Sequence, residues 1–415
     1  MSSYQKSTER TADIAIIGGG IIGMSCAYEL ARQSNLRIVL FDKQNPASGT
    51  TGGSGGVICL HDMGEIYAYL TLKGYARIQQ LHHEHNFGYT AWGSLGVIYE
   101  PGQFPPTAPN PYIDRFAHGE KSIYQREFLE TKELLRRYPW IKPAGVAGGV
   151  FYPNQGFIDP YELVDLYERL ALATGRVEVH RNTPVLQMRT EGDQIKTLVT
   201  RRGAWQVGTV LNAGGPWGAK IAALAGSDLA LTPQRIQVCV ATAFDDGVET
   251  APLTSVPASV NDEGVWCRGE LGGTLLFGEH HHTTKAGYTV DPDYVNRIND
   301  SSYPQAVEAV YRRFWHLPKS LFLNGWCCVY GTTEDGFPII SRDTRRQNFY
   351  HTVGMNGHGM TCHAGVAQAT AELILHNRTT LDMSDVMGGP AAMDFSVLSA
   401  DRFAQGKLLN FELTA

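Results

Sequence analysis

Asp13 to Gly23 reads Asp-Ile-Ala-Ile-Ile-Gly-Gly-Gly-Ile-Ile-Gly, an apolar run delivered into a glycine-rich turn. Gly18, Gly20 and Gly23 fall on a G-x-G-x-x-G spacing, and Met24 to Ser34 continues with helical character. A second apolar run, Ile38-Val-Leu-Phe41, ends on Asp42, 22 residues beyond Gly20. Each residue type has a physical job. Gly18 permits a tight turn, and Gly20 lets the backbone approach a pyrophosphate at a helix N-terminus. Gly23 allows helix to pack closely on strand, and Asp42 can accept hydrogen bonds from a ribose hydroxyl. A glycine turn alone is a weak signal. Here strand, turn, helix, second strand and terminal acid stand in register, so a dinucleotide site is expected.

After Asp42 comes Asn45-Pro-Ala-Ser-Gly-Thr-Thr-Gly-Gly-Ser-Gly-Gly56. Glycines there let backbone pass close to a flat ligand, and Ser48, Thr50, Thr51 and Ser54 leave hydroxyls for phosphate or ring contacts. Gly53, Gly55 and Gly56 belong to the same surface. Two later blocks repeat the theme. Val210-Leu-Asn-Ala-Gly-Gly-Pro-Trp217 is a strand ending in a small-residue turn, and Asn348 to Val353 leads into Gly354-Met-Asn-Gly-His-Gly359 and a helix through His376. The helix start at Gly357 to Gly359 offers a positive dipole end to an anionic ring system.

The elements that would position these residues follow from periodicity and punctuation. Helices are expected at Tyr67 to Asn86, Asp159 to Leu172 and 304 to 315. Short strands are expected at Val177 to His180 and Pro184 to Met188, and Ile195 to Thr200 is expected to form a hairpin with Trp205 to Leu211. Residues 231 to 290 look strand-rich. Five prolines between 101 and 111 make an irregular connection, lid or oligomer contact. The dinucleotide-type signals sit in separated blocks, so the cofactor domain is expected from residues 1–85, 155–230 and 320–415. The substrate domain is expected from 86–154 and 231–319.

Composition narrows the class. The chain has 415 residues, 43% hydrophobic and 18% charged, with 45 glycines, as suits an α/β enzyme and not a disordered chain. A net charge of −6 gives no basic surface for nucleic acid. No apolar run reaches the length of a membrane-spanning helix. The polar first dozen residues carry no signal-peptide core. Seven scattered cysteines without CxxC pairing suggest reduced thiols in the cytoplasm. His280, His281 and His282 follow one another, but neighbours on a strand face opposite sides, so no metal site is expected.

Taken together, these blocks resemble the FAD-dependent amine and amino-acid oxidoreductases of the D-amino-acid oxidase superfamily, which includes glycine oxidase and monomeric sarcosine oxidase. The resemblance spans nearly the whole chain. It rests on residues 13 to 56, Asn212-Ala-Gly-Gly-Pro-Trp217, Glu334-Asp-Gly-Phe-Pro-Ile-Ile340, Phe349 to Gly359 with its helix, and Asp401-Arg-Phe403. It implies a Rossmann-like FAD-binding domain interleaved with an α+β substrate domain built on an antiparallel sheet. The implied reaction takes a hydride from a carbon beside an amine nitrogen to flavin N5, leaving an imine. Beyond the glycines and Asp42, the resemblance places Ile21, Ile22, Lys43, Val185, Ala213, Gly214, Trp217, Asn356, Gly357, His358, Gly359, Met360 and Thr361 at the cofactor.

Catalytic candidates follow from the same resemblance. Cys328 falls where the sarcosine-oxidase branch attaches FAD through a thioether; the alternative is a small packing residue. Tyr330 falls facing the substrate, His280 aligns with a pocket histidine, and His358 stands at the head of the late helix. Arg268 suits a substrate carboxylate through its bidentate fork, with a structural arginine as the other reading. The chain also departs from that branch. Leu276 replaces a lysine that assists reaction with oxygen, Thr361 replaces a lysine for the substrate carboxylate, and residues 48–60 hold no arginine. Sarcosine is therefore not expected, and a dehydrogenase is favoured over an oxidase. The acceptor is dioxygen, a quinone or a protein partner, the last two bringing the enzyme to the inner membrane's surface. The alternatives are oxidation of an alcohol C–OH bond and a flavin-bearing subunit of a larger complex.

Overall fold

A computed structural model of the chain describes residues 10–58, 64–99, 125–139, 141–242, 259–262, 265–270, 274–279, 288–295, 322–386 and 390–409. The proline-rich stretch, the helix expected at 304–315 and His280 to His282 lie outside these residues. Arg10–Ile17 and Ile38–Phe41 become almost wholly apolar toward their C-terminal ends because a parallel strand is covered on both faces. Arg10–Ile17 is central to the first sheet. It pairs in parallel with Ile38–Phe41 on one side and Gly203–Asn212 on the other, and Ile38–Phe41 pairs in parallel with Val177–His180.

Gly203–Asn212 is long enough to take two partners on its far side. Its first residues form the expected hairpin with Gln194–Thr200, and Val210 to Asn212 pair in parallel with Phe349–Val353. The parallel strands thus come from three distant stretches of the chain and stop at one edge, at Ile17, Phe41, Asn212 and Val353. Two helices start from that edge, Ile21–Gln33 and Gly359–His376. The C-terminal edge of such a sheet is where ligands sit.

Helices Gly64–His85, Pro160–Ala173, Ile21–Gln33 and Gly359–His376 share the main apolar core. Asp159 starts the Pro160–Ala173 helix, its carboxylate accepting from the Tyr161 and Glu162 amides at 2.7 and 3.2 Å. The late helix and Gly64–His85 cross backbone to backbone. A Cβ on Gly74 would lie 1.9 Å from the Thr361 carbonyl oxygen, and one on Gly365 would lie 2.5 Å from that of Leu70. No described helix is long and apolar enough to cross a membrane.

The second sheet runs in the order Phe322–Thr332, Thr232–Thr242, Thr274–Glu279, Val265–Gly269, Ser259–Asp262, Ser94–Ile98, Gly148–Tyr152, Glu127–Glu130. It is antiparallel except where Ser259–Asp262 meets Ser94–Ile98. Phe322–Thr332 lies in the 320–415 block yet pairs along its length with Thr232–Thr242, so that block supplies strands to both sheets. A small sheet of Val57–Ile58, Gly156–Ile158 and Tyr89–Thr90 lies where the glycine-rich loop ends.

Two buried polar links lock the late helix and the C-terminal tail. The Arg402 guanidinium donates to both Asp335 carboxylate oxygens at 2.6 and 3.0 Å and to the Phe337 carbonyl at 2.8 Å. His363 Nδ1 donates to the Met360 carbonyl at 2.8 Å, and its Nε2 accepts from the Tyr167 hydroxyl at 2.8 Å. Burial lowers the His363 pKa to about 4. In the unfolded chain this imidazole takes a proton below about pH 6.5, while in the fold it stays neutral down to about pH 4. Its contribution is therefore complete above about pH 6.5 and lost as pH falls toward 4, an effect of about 3 kcal/mol. Urea denaturation at pH 7.5 and 4.5 is expected to show that loss in the native protein and a smaller one in His363→Gln.

Candidate functional site

The glycine turn is shaped first by backbone packing. Gly18 has φ +114°, and a Cβ on it would stand 2.4 Å from the Ala213 carbonyl oxygen. A Cβ on Gly23 would stand 1.9 Å from the Gly18 carbonyl oxygen. Neither position can hold a side chain without moving a neighbouring strand or turn. Gly20 differs. Its φ is −74°, and a Cβ there would meet only the Thr51 hydroxyl at 3.0 Å. The side of Gly20 left bare faces the cavity described below.

Asp42 has two partners inside the protein. One carboxylate oxygen accepts from the Gly19 amide and the other from the Gln44 amide, each at 2.7 Å. Partial burial pushes its pKa up, while these amides and the Lys43 ammonium pull it back. The residue expected to hold a ribose also braces the turn that would hold the pyrophosphate. Thr51 does similar work for the helix, its hydroxyl accepting from the Ile21 amide at 3.1 Å.

The loop from 45 to 56 is sewn to the second sheet. The Thr50 hydroxyl donates to the Val329 carbonyl, the Trp326 indole donates to the Gly53 carbonyl at 3.0 Å, and Arg268 Nε donates to the Gly55 carbonyl. Its late glycines answer to this seam. A Cβ on Gly53 would lie 2.5 Å from Cys328 Cβ, one on Gly55 2.6 Å from the Trp266 ring, and one on Gly56 2.1 Å from the Ile158 carbonyl oxygen. These three glycines make room for protein, where the sequence suggested room for a ligand. Cys328 is the side chain packed there, and burial pushes its thiol up to about 12.

Arg268 is committed as well. Besides Gly55, its nitrogens reach the Gly269 carbonyl at 3.2 Å and the Glu270 carboxylate, and its guanidinium lies 4.3 Å from the Phe157 ring centre. Burial lowers its pKa, opposed by Glu270. It does not line the cavity. The structure places it as a brace of the glycine-rich loop, in keeping with the structural reading of the two that the sequence left open.

A buried chain of polar groups shapes the turn after Asn212. Asn212 Nδ2 donates to the Gly218 carbonyl at 2.8 Å and to His351 Nδ1 at 3.1 Å, and its Oδ1 accepts from the Gly214 amide at 3.2 Å. His351 Nε2 then donates to Asp343 at 2.8 Å. Burial raises the Asp343 pKa, but its bonds from His351 and Ser227 outweigh that and hold it low. The turn before the late helix is fixed likewise. Asn356 (φ +48°) accepts from the Thr333 amide at 2.9 Å and donates to the Gly354 carbonyl.

These turns enclose a cavity of about 370 Å³, within the range of small-molecule sites. Of the residues expected at a cofactor, Gly18, Gly20, Ile21, Ile22, Asp42, Lys43, Thr50, Thr51, Ser54, Val185, Ala213, Gly214, Trp217, Asn356, Gly357, Gly359 and Met360 line it, and so does Tyr330. Gly23, Ser48, Gly53, Gly55, Gly56, Cys328, His358 and Thr361 do not. His358 is the N-cap residue of the late helix and its ring lies 5.2 Å from that of Tyr67. His280 lies outside the described residues. Sequence reasoning missed Lys220 and Asp293 on the rim and Thr352 to Met355 on the floor. The helical run after Trp217 was a usable signal for Lys220; nothing local marked Asp293. An adenine dinucleotide fits what is present, with a bare glycine facing the cavity, an acid after the second strand and helix amides opposite.

A model of the family described as FAD dependent oxidoreductase matches residues 13–373. The chain is 22% identical over 396 residues to mitochondrial dimethylglycine dehydrogenase of Rattus norvegicus, covering 90% of this chain and 44% of that protein. It thus spans less than half the length of that relative. It is 25% identical to monomeric sarcosine oxidase of Bacillus sp. (strain B-0618), covering 90% of this chain and 94% of that one. The structure of L-proline dehydrogenase from P. horikoshii superposes with a TM-score of 0.78 at 20% identity, covering 97% of this chain and all of the other.

The two kinds of glycine predict two kinds of damage. Gly18→Ala is expected to lower stability by about 2 kcal/mol or more, through backbone strain and the clash with Ala213. Gly20→Ala is expected to fold with a native melting temperature yet purify with less flavin per chain. Thermal melts and the ratio of flavin to protein absorbance check both outcomes.

Proposed function

The chain belongs to the FAD dependent oxidoreductase family, and from that premise we propose that it oxidises the CH–NH or CH–NH2 bond of a small amino or imino acid to an imine. The carrying observation is the convergence of three distant stretches of chain on one cavity, with Tyr330 of the second sheet in its wall. Relatives named for dimethylglycine and sarcosine, and a structural neighbour named for L-proline, support the substrate class. FAD, when bound, supplies a two-electron acceptor that takes the hydride from the carbon beside nitrogen.

The chain's own residues bind and orient. Gly20 and the first turn of Ile21–Gln33 would take the pyrophosphate, and Asp42 the ribose. The amides at the start of Gly359–His376 present positive partial charge to the cavity, favouring an anion held there. Tyr330, on the strand paired with Thr232–Thr242, would position the substrate from the second sheet. No described side chain is placed as a general base, and a neutral substrate amine needs none once oriented.

Leu276 is buried against Val238 and Trp266, so hydrocarbon stands where an oxygen-assisting lysine would be. This supports a dehydrogenase over an oxidase. Cys328 packs against Gly53 and does not line the cavity, which supports FAD held without a thioether. Acid precipitation is then expected to leave the yellow colour in the supernatant; colour in the pellet contradicts it.

Anaerobic bleaching of the flavin band, at about 450 nm for an oxidised flavin, tests the substrate class. Glycine, N-methylated glycines, proline-like imino acids and D- and L-amino acids are added in turn, and air is then admitted. Bleaching by one class with slow recovery in air is expected. Rapid recovery means an oxidase. A flavin-loaded protein that bleaches with none of them overturns the amine reading in favour of an alcohol substrate or a subunit role.

A further inference from the structure

Beside Asp42 the cavity is lined by a charged cluster of which the family reading included only Lys43 and Trp217, each as a cofactor contact, and neither Lys220 nor Asp293. Asp293 sits at its centre. One of its carboxylate oxygens accepts from the Lys43 ammonium and the Trp217 indole, each at 2.7 Å, and the other accepts from the Lys220 ammonium at 2.6 Å. Lys43 also lies 3.8 Å from the centre of the Trp217 ring, close enough for a cation–π contact. Asp291 adds a second carboxylate to Lys220 and accepts from the Asp293 amide at 3.0 Å.

The placement of these groups matters more than their number. Lys43 follows Ile38–Phe41, whereas Trp217 and Lys220 follow Gly203–Asn212. Those strands flank Arg10–Ile17 on opposite sides. The crevice between them is where the adenosine half of a dinucleotide lies in this fold class. Asp293 belongs to neither wall. It arrives on residues 288–295, which are anchored to the second sheet by Arg235 N to Tyr288 O at 2.9 Å and Val290 N to Pro233 O at 3.0 Å. Gln234 pairs with Thr289 on one side and with Tyr330 on the other. The strand that pairs with Tyr330 therefore also anchors the segment that brings Asp293 to the other end of the cavity.

A single exposed ion pair would count for little. This one collects three donors from two walls on one carboxylate, and opening the crevice breaks all three contacts together. We propose that Asp293 is a cofactor-retaining residue: its bridge from Lys43 and Trp217 to Lys220 closes the adenosine end of the cavity and limits the rate at which FAD leaves. This rests on the FAD reading alone and not on the identity of the substrate. A protein that fails to bleach with amines still tests it.

The test follows FAD release after dilution of the loaded protein, by the rise in flavin fluorescence. Cys328→Ser is the parent, so that no thioether can mask release. The parent is expected to release FAD faster as salt rises toward about 1 M, where the screening length is about 3 Å. Adding Asp293→Asn is expected to speed release about tenfold at low salt, the scale of one charged hydrogen bond, and to flatten the salt dependence. Lys220→Met is expected to act in the same direction, and it carries the test if Asp293→Asn does not fold by circular dichroism. Release at the parent rate, or an unchanged salt dependence, overturns the proposal.

Discussion

Everything at the site depends on backbone meeting backbone at one edge of the first sheet. Gly18 lies so close to the Ala213 carbonyl that no side chain fits between them, and Gly23 is as close to the Gly18 carbonyl. These contacts set the distance between the first glycine turn and the turn after Asn212. They also fix where Ile21–Gln33 begins. A cavity of this kind is an interior gap, and its width is decided by how closely its two flanking turns approach. The glycines lower the approach distance below what any other residue allows, and the cavity opens on the side of Gly20 away from that contact.

Polar networks hold the remaining turns. Both Asn212 Nδ2 donors are used, by Gly218 and His351, its Oδ1 accepts from Gly214, and Asp343 completes the chain at the far side of the imidazole. Asn356 does comparable work in the turn before the late helix. A buried amide with both donors bonded specifies a single arrangement, since any rotation strands a donor in low dielectric. The Asp335–Arg402 pair extends the same logic to the tail and anchors the turn from Thr333 to Phe337 from behind.

Much of this was legible in the sequence, and the reason is local. The glycine spacing, Asp42, the helix beginning at Asp159 and the hairpin of Ile195 to Thr200 with Trp205 to Leu211 are features in which neighbours in sequence are neighbours in space. The late glycines of the 45–56 loop misled because their need for space comes from Cys328, Trp266 and Ile158, all far along the chain. Arg268 kept two readings for a related reason. A guanidinium suits a substrate carboxylate, and it suits a backbone carbonyl with a glutamate and an aromatic face equally well. Its partners Gly55 and Phe157 come from stretches whose proximity only the fold reveals. Asp293 carried no sign at all, because an aspartate in a short polar turn is commonplace and its three donors come from the segments that follow two distant strands.

The two ends of the cavity differ in how they are built, and the difference follows from what each must do. At the late-helix end the walls are amides and small side chains locked by buried networks, which suits a ring that must hold one orientation against a substrate. At the Asp42 end the rim is made of half-exposed ammonium and carboxylate groups. Such groups hold in concert yet exchange partners with water, at a cost that salt can screen. On the proposed reading, a rigid floor at one end and a rim of exchangeable contacts at the other would let the cavity admit FAD and then orient its reactive part. The Gln234 pairing with both Tyr330 and Thr289 joins the two ends through a single strand, so the wall that holds Tyr330 and the cluster around Asp293 share one mechanical support.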